Sequence, residues 1–101
     1  MANVLKGRNQ RILDAAIECA KDDGYRHITR EYVAARAGVA VGTINNAYGT
    51  MLNLKGAVMQ AAVERGILEL IVQGIADGSP IALSAPAELR HKALSIITSD
   101  I

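Results

Sequence analysis

Gly38 stands between two short stretches of apolar residues at helical spacing, and a chain punctuated in this way has few ways to fold. Upstream, Val33, Ala34 and Ala37 share one face of a helix predicted over residues 30 to 37, with Thr29 placed to cap its start. Downstream, Ile44, Ala47 and Tyr48 are spaced i, i+3 and i+4 on a helix that begins at Val41 or Gly42 and ends at Tyr48, before Gly49. Glycine takes a positive φ at little cost, so the two helices can turn sharply at Gly38, with Val39 plugging the angle between them. Gly42, Thr43, Asn45 and Asn46 are left facing outward, and none of them is charged. The stretch "AGVAVGTINNAYG" is therefore either the second half of a helix-turn-helix or a well-packed corner of a small helical protein.

The rest of the chain continues the helical reading. From Arg8 to Asp22, Ile12, Leu13, Ala16, Ile17 and Ala20 form one stripe, with Asn9 as a candidate cap and Gly24 as the stop. Thr50 can cap a long helix reaching about Ala76, whose apolar positions Leu54, Val58, Ala61, Ala62, Leu68, Ile71, Val72 and Ile75 are too many for one narrow seam. Gly56, Gly66 and Gly74 within it mark either close helix contacts or a bend. "DGSPIALSAP" is predicted to be a loop, and Pro86 opens a last helix to about Thr98 with Leu89, Ala93, Leu94 and Ile97 on one side. The expected fold is all-α, with a three-helix unit over residues 1–50 and a continuous helical region over 51–101.

Composition narrows the function classes. Half of the 101 residues are apolar and 21% are charged, which excludes disorder, and three tyrosines without Phe or Trp suit a core of small aliphatic side chains. The net charge of +1 says little, but residues 1–50 hold seven of the eleven Lys and Arg against five acids. Basic bias thus accompanies the motif. One cysteine, Cys19, builds neither a disulfide framework nor a metal site, and His27 and His91 stand apart without partner ligands. No metal, no cofactor and no catalytic constellation is expected, so an enzyme is disfavoured. The polar start "MANVLKGRNQR" is not a signal peptide and "GILELIVQGIADG" is short and broken by Glu69 and Gln73, which predicts no membrane segment and a cytoplasmic protein.

If residues 30–48 form a helix-turn-helix, the second helix lies in the major groove. Asn can pair with adenine N6 and N7, and Thr can bond a base edge or touch a thymine methyl, so Thr43, Asn45 and Asn46 are candidate base contacts. Affinity comes mainly from phosphates, for which Arg30, Arg36 and Tyr32 on the first helix of the motif, and Lys6, Arg8 and Arg11 near the N-terminus, are candidates.

The chain over residues 8 to 60 resembles the DNA-binding domain of the tetracycline-repressor (TetR) family. The matching pieces are "RILDAAIE" in the first helix, "GY" and "T" before the second, "VAARAGVAVGTI" across the turn and "YGTMLNLKGAV" entering the fourth helix. That resemblance implies a helix-turn-helix in the second and third helices, homodimers and repression of transcription at a near-palindromic operator. Thr43 and Tyr48 match the family's threonine and buried aromatic. Ala40 stands where the family commonly has a capping Ser or Thr, Asn45 and Ala47 where it often has aromatics, and Met51 where it has a phosphate-contacting Lys. The family's large inducer-binding domain has no full counterpart in this length, so no obvious small-molecule inducer pocket is expected. The second half is instead expected to be a dimerisation arm, with Leu68, Ile71, Val72 and Ile75 at a two-fold interface. Two alternatives stand beside a DNA-binding regulator: a protein-binding adaptor or inhibitor with a degenerate motif, and a DNA-binding replication or mobile-element protein.

Overall fold

The computed structural model describes the backbone of residues 2–99 and the side chains of residues 7–98, so the side chain of Lys6 lies outside the described residues. These residues are helical throughout, without a strand, in the order α1 (Ala2–Asp23), a 3-10 turn (Tyr25–His27), α2 (Arg30–Ala37), α3 (Val41–Tyr48), α4 (Met51–Arg65), α5 (Leu68–Ala76), α6 (Pro80–Leu83) and α7 (Ala87–Ser99). The chain divides into two compact units, residues 1–55 and 56–101.

In the first unit the buried stripe of α1, comprising Ile12, Ala15, Ala16, Ile17, Cys19 and Ala20, forms the core together with Tyr25, Ile28, Val33, Ala34, Ile44 and Leu54. Small residues dominate the α1 stripe, which permits close helix approach, and the larger Ile12, Ile17 and Ile44 fill what remains. Burial pushes the Cys19 thiol above its ordinary range, with the Arg36 charge acting in the opposite direction, so the residue serves as a small apolar group. Asn9 is not a cap: α1 begins well before it, and the residue lies inside the helix.

Thr29 caps α2 as expected, its Oγ1 accepting from the Tyr32 N–H at 3.1 Å, and Thr50 does the same for the Asn53 N–H at 3.1 Å. Gly38 takes φ +72° and ends α2, donating to the Ala35 carbonyl while the Val39 N–H reaches the Ala34 carbonyl at 3.0 Å. These paired bonds satisfy carbonyls that a helix end leaves open, and they fix the direction in which the chain leaves.

The same device corrects the long fourth helix expected from the sequence. Gly66 takes φ +67°, its N–H donates to the Val63 carbonyl and the Ile67 N–H to the Ala62 carbonyl at 2.8 Å. Gly66 in the left-handed region, with the Ile67 N–H closing back onto Ala62, is thus the helix stop that separates α4 from α5. "DGSPIALSAP" also differs from expectation, because Ser79 and Pro80 act as a cap and first helical residue rather than as a turn. The Ser79 Oγ accepts from the Ala82 N–H at 3.3 Å, and one turn of helix, α6, follows.

The second unit is built on Val58, Met59, Ala61, Ala62, Leu70, Ile71, Ala82, Ala85 and Ala93, all buried. In α7 the expected inner stripe is only partly inside: Ala93 is buried and Leu89 half-buried, whereas Leu94 and Ile97 are exposed. Arg90 ties α7 to the loop before it by donating from Nε to the Ala85 carbonyl at 2.9 Å.

Two substitutions test this packing. A methyl group on Gly74 would lie 2.8 Å from the Ala82 Cβ and 2.8 Å from the Met59 Sδ, so Gly74→Ala is expected to destabilise the protein by about 1–3 kcal/mol in urea unfolding, with partial recovery in Gly74→Ala/Ala82→Gly. Ala40 precedes α3 with extended backbone at φ −75° and ψ 153° and offers no side-chain acceptor. Ala40→Ser is expected to add about 1 kcal/mol and to raise the melting temperature by roughly 4–8 °C.

Candidate nucleic-acid interface

The motif at residues 30–48 is a helix, a three-residue turn and a second helix of eight residues. Ile44, 2% exposed, anchors α3 to the core, and Ala47 and Tyr48 are half-buried on the same side. Tyr48 crosses to α1, its hydroxyl donating to the Asn9 carbonyl at 3.4 Å. Burial, and then the nearby Asp14 carboxylate, holds this phenol above the ordinary tyrosine range, so it remains a neutral donor. The far end of α3 is braced from α4, where the Asn53 side-chain amide donates to the Tyr48 carbonyl at 3.0 Å. Gly49 closes α3 by donating to the Asn45 carbonyl at 2.8 Å.

With the inner side of α3 pinned in this way, Gly42, Asn45 and Asn46 are exposed and Thr43 is half-buried. The outward face therefore carries amide donors and acceptors and no charge. Its chemistry suits paired hydrogen bonds to base edges rather than attraction to phosphates.

The basic candidates separate into two groups. Arg8 and Arg11 are one helical turn apart on α1, in the stretch against which Tyr48 docks; Arg11 is exposed and Arg8 half-buried. The Arg8 Nε and the Asn9 Oδ1 are enclosed without a hydrogen-bond partner among the described residues. Arg30, half-buried, is the first residue of α2.

Arg36 and Tyr32 lie elsewhere. The Arg36 Nη1 contacts the Asp22 Oδ2 at 2.6 Å and the Glu18 Oε2 at 3.8 Å, its Nη2 donates to the Tyr32 hydroxyl at 3.2 Å, and its guanidinium carbon is 5.3 Å from the Tyr32 ring centroid. The hydrogen bond to Asp22 raises the Arg36 pKa further, and a hydrogen bond to Asp23 holds the Tyr32 phenol above its ordinary value. From Asn9 to Asp22 is about 20 Å along α1 at the ideal helical rise, so this cluster and the Tyr48 dock lie well apart on that helix. The sequence offered no local signal for the pairing, because Asp22 and Arg36 are joined only by the fold.

Two further residues near the motif were not legible beforehand. Asn53 braces α3, and Leu52, in the first turn of α4, is 80% exposed. In the second unit, Ile71 is fully buried in the chain's own core and has no surface for a partner, which removes it from the expected interface. Leu68, Val72 and Ile75 are half-buried, while Leu83, Leu94, Ile96 and Ile97 are exposed. An open groove of about 370 Å³ in this unit is lined by Gln60, Val63, Pro80, Ile81, Ser84, Ala85 and Pro86. No described helix is long and apolar enough to cross a membrane.

Comparison with known proteins places the motif. Residues 12–58 match the family described as bacterial regulatory proteins, tetR family. A 64-residue segment is 36% identical to the HTH-type transcriptional repressor KstR of Rhodococcus jostii (strain RHA1), covering 63% of this chain and 30% of that protein. No solved structure matches. The family match begins at Ile12, the first large residue of the α1 core stripe, and ends at Val58 in α4, so it spans the turn at Gly38 and every core residue that fixes α3. Over residues 12–58, just under half of its length, this chain is thus similar to the bacterial regulatory proteins of the tetR family.

Proposed function

We propose that the protein is a sequence-specific DNA-binding regulator of transcription, a repressor that acts as a homodimer on a near-palindromic operator. The observation that carries this reading is the outward face of α3, where Asn45 and Asn46 are exposed on a short helix whose opposite side is anchored by Ile44 and Tyr48. A helix held from behind and polar in front is a means of bringing amides to base edges. Thr43, Asn45 and Asn46 read bases, and Arg8, Arg11 and Arg30 hold the phosphates on either side.

The second unit supports the dimer. Leu83, Leu94, Ile96 and Ile97 are exposed apolar residues of α6 and α7, to which Leu68, Val72 and Ile75 add half-buried surface on α5. Pairing such faces across a two-fold axis removes apolar area from water and presents two recognition helices to successive major-groove faces, at least one helical turn or ~34 Å apart.

One observation favours a second reading, that of a protein-binding adaptor on the same frame: α3 has no side-chain cap at Ala40, and Met51 follows it without a charge. DNA titration separates the two. For a regulator, log affinity falls linearly with log salt, at about 0.9 per phosphate neutralised, so several contacts give a slope of several units. Asn45→Ala/Asn46→Ala is expected to keep that slope and the helical circular dichroism while losing roughly 1–3 kcal/mol of discrimination per base contact. An adaptor would bind no fragment in a salt-dependent manner, and the double substitution would change nothing.

A further inference from the structure

Arg36 and Tyr32 face α2's neighbour rather than the outward side of α3, and their surroundings are specific. Arg36 and Tyr32 are four residues apart on one face of α2, and both engage acids at the C-terminal end of α1: Asp22 and Glu18 for Arg36, Asp23 for Tyr32. The guanidinium side chain is 30% exposed, so it lies along the protein surface rather than extending into solvent. It also stacks over the Tyr32 ring, which orients its planar fork toward the carboxylates. Resting on the DNA-binding reading above, we propose that Arg36, with Tyr32, is a positioning group of the helix-turn-helix and not a phosphate ligand: clamped to Asp22 and Glu18, it fixes the end of α2 from which the Gly38 turn launches α3.

The Tyr48 and Asn53 bonds hold the far end of α3, so the need for a clamp lies at the α2 end, which has few anchors of its own. α2 has eight residues and buries only Val33 and Ala34; α3 has eight, buries Ile44 and lacks a side-chain cap. A helix of that length spans ~12 Å, so a 10° tilt of the α2 end about its buried pair, unopposed, would displace α3 by up to about 2 Å against its Tyr48 and Asn53 braces. Paired amide-to-base hydrogen bonds tolerate only a few tenths of an ångström, so that tilt abolishes them. Arg36 is the penultimate residue of α2 and sits where a restraint opposes the tilt with the greatest leverage. Exposed ion pairs contribute little on their own, but this one combines a charge-assisted hydrogen bond, a second carboxylate and a stacked ring.

The clamp and the phosphate ligand predict opposite signs for one substitution. If Arg36 held a phosphate, Asp22→Asn would free it and remove a nearby negative charge, so DNA would bind more tightly. If Arg36 is the clamp, Asp22→Asn weakens binding in the same way as Arg36→Gln. Fluorescence anisotropy with a labelled operator duplex, over a range of salt, reads both affinity and slope. The expected result is a loss of roughly three- to tenfold for Arg36→Gln and for Asp22→Asn, with the double variant no weaker than either single one and the salt slope unchanged. Arg11→Gln serves as the phosphate control and makes the slope shallower by about 0.9. The reversed pair Arg36→Asp/Asp22→Arg is expected to recover affinity relative to Arg36→Asp alone. A shallower slope in Arg36→Gln, or tighter binding by Asp22→Asn, overturns the proposal.

A thermal-unfolding cycle on the same four proteins keeps the two questions separate. If the unsubstituted protein binds no DNA, the functional reading fails; a coupling between positions 22 and 36 in melting temperature still supports the clamp, and strict additivity overturns it.

Discussion

The bond from the Val39 N–H to the Ala34 carbonyl, made possible by Gly38 in the left-handed region, is the constraint on which the helix-turn-helix unit depends. It ends α2 at a defined residue and sets the departure angle of the chain. Everything on α3 is then a consequence of rotation about one axis: Ile44 falls into the core, Tyr48 reaches Asn9, and Asn45 and Asn46 emerge on the other side. A side chain at position 38 would meet no neighbour within 4 Å, so the requirement at this position is conformational and not steric. The same bonding pattern at Gly66 and Ile67 ends α4, and the protein thus uses one backbone device twice for different ends: to present α3 in the first unit and to begin α5 in the second.

Charge is distributed along α1 in a way that complements this geometry. Its early turns carry Arg8 and Arg11 next to the Tyr48 dock, and its last turns carry Glu18, Asp22 and Asp23. Acids at a helix C-terminus are unfavourable against the helix dipole; Lys21 in the last turn of α1 offsets them in part, and Arg36 adds a further cation from α2. The arrangement leaves basic side chains where a phosphate backbone would run past the proposed recognition helix and sets the Arg36 guanidinium against the acids about 20 Å away. A nearly neutral chain can in this manner offer a locally basic surface, which is why the net charge of +1 carried no information about DNA.

How much of this was legible beforehand depended on whether the signal was local. The Gly38 turn, the Thr29 and Thr50 caps, and the inward placement of Ile44 with the outward placement of Asn45 and Asn46 rest on spacing within a few residues, and they were readable. The break at Gly66 was present as a glycine, but its effect depended on Ile67 closing the helix end, and glycines at positions 56 and 74 looked the same in the sequence. Gly74 instead gives room to Met59 and Ala82, a contact between elements. The ion pairs of Arg36 were hidden for the same reason: its neighbours Asp22 and Glu18 are distant in sequence, so composition alone offered a surface cation. Ile71, one of four apolar candidates for an interface, could not be told from Val72 until the core of its own unit was known.

The central claim is that a neutral, small-residue helix reads DNA because it is held rigidly from behind. Selection of bound duplexes from a random-sequence library tests it most directly. The account predicts enrichment of a defined half-site, repeated with two-fold symmetry at a spacing of about one helical turn (10–10.5 base pairs) or more, and loss of that motif for Asn45→Ala/Asn46→Ala. Recovery of no motif, or of the same motif from the doubly substituted protein, would contradict it.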